Sequence, residues 1–121
     1  MSDKIVYVIS RDPKEYTEVV SAVFAQALTA LAFDNECEIF LMGEAVNIVK
    51  KGATEGLKFK EFESVDMMVG NYIEMEGKLF ICHPSSDARD LHKEDCIDGV
   101  EFVNASKLLL SGKNSDALFT F

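Results

Sequence analysis

The chain has no G-x-G-x-x-G, no Walker A sequence and no G-x-S-x-G elbow. Dinucleotides and nucleoside triphosphates therefore lack their usual phosphate cradle, and the common serine-hydrolase nucleophile turn is excluded. Basic residues are scarce: 12 Lys and Arg stand against 21 Asp and Glu, a formal charge of −9 over 121 residues. Phosphate backbones are bound by clustered Lys and Arg, so no nucleic-acid partner is expected. The net charge names no positive partner in exchange, because it mostly reports solubility. No apolar run comes near the roughly 20 residues of a membrane-spanning helix. The opening MSDKIVYVIS lacks a basic region followed by a cleavable apolar stretch. The expected setting is cytoplasmic, with no membrane contact. Cysteine is sparse and odd in number, with Cys37, Cys82 and Cys96, which argues against a disulfide framework and for reduced thiols. No repeat, low-complexity tract or linker divides the chain.

What remains is an ordinary soluble composition, 48% hydrophobic and 27% charged, long enough for one domain with a three-layer core. Residues 4–9 are rich in Ile and Val and alternate little, as in a strand buried on both faces. Asp12 then offers a helix cap, with Pro13 at the first helical position and Glu15 closing a capping-box-like pair. An apolar stripe from Tyr16 through Val20, Phe24 and Ala27 to Leu31 predicts a long helix. Residues 36–42 predict a second strand ending in Gly43, followed by a short helix over 44–51 that Gly52 stops. Residues 53–63 sustain no period and predict a loop. Ser64 is placed to cap a third helix that ends at Gly77. Strand 78–82 follows, then a short helix near 86–91, a turn at Asp98-Gly99, strand 100–103, a helix over 105–110 and a last strand over 116–121. Strands alternating with helices at this spacing predict a three-layer α/β/α domain with a mostly parallel five-stranded sheet.

The sharpest candidate for chemistry is Cys82, where the apolar run Leu79-Phe80-Ile81 ends and a helix-start segment Pro84-Ser85-Ser86 begins. Open α/β sheets place ligands at the carboxyl ends of their strands. A neighbouring imidazole, here His83, and free backbone N–H groups both favour a thiolate. A free cysteine is equally at home as a buried packing residue, so position alone leaves both roles open. His83 fits a half-exposed surface histidine pointing to the opposite side of the strand from Cys82. Arg89 can orient an anionic group, although a solvated pairing with Asp87 or Asp90 is the commoner fate of such a residue. Gly43 and Glu44 can bring a second strand end to the same place. His92 and Cys96 lie four apart, and Cys82 with His83 completes a four-ligand set on paper. Without a Cys-x-x-Cys or His-x-x-x-His pair, no metal site is expected.

Three stretches together resemble the DsrE/DsrF-like family of small sulfur-relay proteins. Residues 39–46, Ile-Phe-Leu-Met-Gly-Glu-Ala-Val, look like the family's strand-Gly-acid segment. Residues 79–82 with Ala88-Arg89-Asp90-Leu91 are similar to its strand, cysteine and Ala-Arg-Gly-like helix. The segment from Asp98 through Phe121 resembles its closing unit, which typically ends in an apolar strand with a terminal Phe. The resemblance implies that Cys82 is the sulfur-accepting cysteine, with His83, Ser85, Ser86, Arg89, Gly43 and Glu44 around it. It implies a persulfide sulfurtransferase-type relay with no cofactor, using sulfur donor and acceptor proteins as partners. Some relatives carry a second cysteine where this chain has Ser85, and often a Gly where it has Asp90. The resemblance also implies a homo-oligomer, trimer or hexamer. Family assemblies include subunits without an active cysteine, so the alternative is a non-catalytic binding or regulatory subunit in which Cys82 is structural.

Overall fold

The structure is a computed structural model and describes residues 3–121. Five strands, β1 (Lys4–Ile9), β2 (Glu36–Leu41), β3 (Lys78–Cys82), β4 (Val100–Val103) and β5 (Ala117–Thr120), form one sheet in the order β4-β3-β2-β1-β5. Every pairing is parallel. Parallel neighbours need crossover connections, and helices supply them. Helices α1 (Thr17–Ala32) and α2 (Val65–Glu74) pack side by side on one face. There Val20, Val23, Phe24 and Ala27 of α1 meet Met68, Val69 and Tyr72 of α2 over Tyr7, Ile9, Ile39, Leu41, Leu79 and Ile81 of the sheet. On the other face a smaller cluster of Val6, Val8, Phe40 and Phe80 lies with Leu108 of α4 (Ala105–Lys113). The α4 crossover runs from one edge strand to the other, so a single helix covers that side. The last helix, α3 (His83–Ala88), sits at the carboxyl end of β3.

The class expected from the alternation of elements is the one observed; several boundaries moved. Asp12 does cap: its Oδ2 accepts the backbone N–H groups of Lys14 and Glu15, both at 3.0 Å. These bonds close a separate turn over residues 13–16, and regular helix begins only at Thr17. The short helix expected near 86–91 starts at His83, because Pro84 fits a first helical turn that has no use for its N–H. At the other end α4 runs through Ser111 and Gly112 to Lys113 rather than stopping at 110. Ser111 is buried under the helix, and Gly112 lies beside Leu118 of β5, so packing overrides the weak helix preference of both. Residues 43–49 form a 3₁₀ segment, and residues 53–63 a loop in which Leu57 and Phe62 pack against the larger core.

Gly77 shows why a junction needs glycine. The left-handed residue closing α2 is Glu76, at φ 69°. Gly77 follows with its missing side chain facing the Tyr72 ring, where a Cβ would collide. The Tyr72 hydroxyl lies 2.7 Å from the Lys78 carbonyl and 3.0 Å from that of Cys37. One side chain thereby ties the end of α2 to β2 and β3.

Candidate functional site

The carboxyl ends of the strands line one rim of the sheet, and β3 delivers Cys82 to it. The backbone at Cys82 is still extended, and α3 begins at the next residue. Alternation along β3 puts Cys82 on the side of Phe80, the α4 side, in register with Val103. The residue is half-buried, whereas Cys37 and Cys96 are buried, and all three thiols are free. Burial pushes the Cys37 thiol up to about 11, with the charge of Glu38 adding to the effect. Burial also raises the Cys96 thiol, helped by the nearby Asp95 carboxylate. Desolvation disfavours a thiolate in both places.

Four of the residues expected around the thiol come together in one hydrogen-bonded set between α3 and the end of β2. The Gly43 N–H donates to Ser85 Oγ at 3.0 Å. Gly43 is at φ 58°, a left-handed conformation that directs the end of β2 toward α3. Arg89 Nη1 donates to the Ser85 carbonyl at 3.0 Å. The same guanidinium donates to Glu44 Oε1 from Nε at 3.0 Å and from Nη2 at 2.8 Å. Glu44 Oε2 accepts in turn from Asn47 Nδ2 at 3.2 Å. Arg89 thus turns away from Asp87 and Asp90, the partners its sequence neighbourhood suggested, and pairs across to the segment after β2. Its planar fork reaches a carboxylate and a carbonyl at once, which an exposed single-turn ion pair does not require.

The others are placed differently. Ser86 is buried, and its Oγ donates to the His83 carbonyl at 2.9 Å, inside the first turn of α3. His83 opens α3 instead of extending β3, so strand alternation does not govern it. Its exposed ring stands edge-on to Phe102 at 6.2 Å, with Nδ1 3.7 Å from Asp87 Oδ2. His92 Nε2 lies 3.0 Å from Asp90 Oδ1, while Cys96 donates from Sγ to the His92 carbonyl at 3.4 Å. Among the described residues no three His, Cys, Asp or Glu side chains converge as metal ligands would. Sequence reasoning missed Lys107, whose ammonium lies 5.1 Å from the ring centre of Phe80, on the face of β3 that also carries Cys82. Only the packing of α4 across the sheet reveals it. Among the described residues no helix is long and apolar enough to cross a membrane.

The comparisons agree with this architecture. The model of the DsrE/DsrF-like family matches residues 3–121. An uncharacterized protein of Methanopyrus kandleri, MK0008, is 34% identical over 98% of this chain and 94% of its own length. Another from Methanocaldococcus jannaschii, MJ0989, is 30% identical over 98% of this chain and 99% of its own. Among solved structures, the ychN protein of E. coli superposes with a TM-score of 0.78 at 22% identity, covering all of both chains. The protein of unknown function MTH1491 from Methanobacterium thermoautotrophicum gives 0.68 at 12% identity, over 98% of this chain and 99% of its own.

Proposed function

The chain belongs to the DsrE/DsrF-like family, and from that premise we propose that it is a sulfur carrier that accepts sulfane sulfur on Cys82. The observation that carries this reading is the contrast among the thiols. Cys82 is half-buried at the rim of the sheet, while Cys37 and Cys96 are buried and held protonated. A thiolate is the attacking species in thiol exchange, so access favours Cys82 and burial disfavours the other two thiols.

In the transfer, the Cys82 thiol gives its proton to solvent and the thiolate attacks the outer sulfur of a donor persulfide. The donor S–S bond breaks, the donor thiolate leaves and takes up a proton, and Cys82 becomes Cys82–S–SH. An acceptor thiolate then attacks the same outer sulfur and Cys82 leaves as thiolate. Each step exchanges one S–S bond for another, so no external oxidant or reductant is consumed. Ser85 stands where a resolving cysteine would be needed for an internal disulfide, which favours delivery to a partner thiol. Donor and acceptor are proposed to be proteins, and the setting a reducing one, the cytoplasm. Self-assembly into a homo-oligomer belongs to the same reading.

The test is intact-protein mass spectrometry after incubation with a persulfide donor. Wild type is expected to gain one sulfur, about 32 Da, and Cys82→Ser none. Equal loading of the two proteins would return Cys82 to the role of a packing residue.

A further inference from the structure

We propose that Arg89 is a positioning residue for Cys82, acting through a clasp that locks α3 onto the segment after β2. The inference deepens the sulfur-carrier reading, and its functional meaning rests on that reading. Helix α3 has six residues, fewer than two turns. A helix so short does not hold its shape by its own hydrogen bonds. Just past its end, Asp90 takes the left-handed conformation at φ 53° that ends the helix. Yet this helix sets the posture of Cys82, its N-cap.

External bonds supply what length does not. The guanidinium of Arg89 holds the Ser85 carbonyl, one turn back in the same helix, and Glu44 from the neighbouring connection. Ser85 Oγ accepts the Gly43 N–H beside them. The clasp thus spans α3 from its second turn to its first and fastens both to the end of β2. The Arg89 and Glu44 side chains are 30% and 56% exposed, so the pair adds little to global stability. Its effect is local. With the clasp closed, Cys82 stays half-buried; with it open, α3 frays and the thiol is uncovered.

The experiment measures alkylation of Cys82 in the native protein by iodoacetamide, a neutral probe, using peptide mass spectrometry. Arg89→Ala and Glu44→Ala are each expected to raise the rate by about fivefold or more. Their combination adds nothing further, because both open the same clasp. Arg89→Lys keeps the charge without the fork and is expected to react like Arg89→Ala, with a thermal midpoint equal to wild type. A merely structural role would move the midpoint and leave Cys82 alkylation in step with it. Should Arg89→Ala not fold, Glu44→Ala opens the clasp from the other side. Rates within about twofold of wild type in both alanine variants, or full retention of the wild-type rate by Arg89→Lys, overturn the proposal. Wild type that alkylates as expected but takes up no sulfur would remove the carrier reading and leave the clasp standing. Sulfur loading with unchanged alkylation in the variants would do the reverse.

Discussion

At the scale of single residues, burial decides which thiol can react and when. Cys37 lies on β2 beneath α1 and α2, and its thiol is raised from 9.0 to about 11. A native pKa above the ordinary value means that the protonated thiol is the form the fold accommodates. Its stabilising contribution is complete below about pH 9 and fades as the pH rises through about 11. Wild type should therefore lose about 2 kcal/mol between pH 8 and pH 11 that Cys37→Ala does not lose. Urea unfolding at both pH values checks this as a narrowing gap between the two proteins. A constant gap would mean that Cys37 ionises in the native state as freely as in the unfolded one. Cys82 and its immediate followers were legible in the sequence because a strand end and a helix start are local signals. The pairing of Arg89 with Glu44 was not, since the two stand 45 positions apart and Asp87 and Asp90 offered nearer charges. Only the parallel register of β2 and β3 brings their carboxyl ends side by side.

At the scale of elements, the type of nearly every segment was legible and the boundaries were less so. Apolar stripes and capping residues are properties of neighbouring positions, whereas the exact end of a helix depends on what it packs against. The extension of α4 through Ser111-Gly112 is such a case, since both residues usually end helices and here lie against the sheet and β5. The junction between α2 and β3 shows the opposite, a stop signal that held for a reason invisible in the pattern. Gly77 was expected to end the helix, yet the left-handed conformation falls on Glu76, and Gly77 is needed for space. Tyr72 cannot retreat, being fully buried with its hydroxyl held between two carbonyls. Gly77→Ala should cost about 2–3 kcal/mol, read as a lower urea midpoint with unchanged slope. A loss of only a few tenths would show that the ring can move aside.

At the scale of the whole molecule, one side of the sheet is left with exposed apolar surface on α4. The outer face of α4 carries Leu109 and Leu110, 65% and 57% exposed. Beside it β5 is an edge strand of sequence ALFT with Leu118 exposed on the α4 side, Phe119 stacked on Tyr7 on the opposite face, and Phe121 following. Edge strands left open to solvent usually carry a charge, as β4 does at Glu101. Helix α4 also contains two lysines and no acidic residue, in a chain of net charge −9. An apolar surface with a positive fringe fits a negatively charged protein, and a second copy of this chain is one. Copies joined head to tail would set α4 and β5 of one against a different face of the next, a heterologous contact that forms a ring where its rotation closes. Covering each leucine would contribute at most about 1.5–3 kcal/mol, to be set against the cost of association. Sedimentation velocity should find wild type assembled at micromolar concentration, with the trimer or hexamer that the family resemblance implies as the proposed size. Leu109→Asp combined with Leu110→Asp should sediment as a monomer with an unchanged far-ultraviolet circular dichroism spectrum, since neither side chain supports the core. A monomeric wild type, or a variant that assembles as before, would overturn this face as the contact between copies.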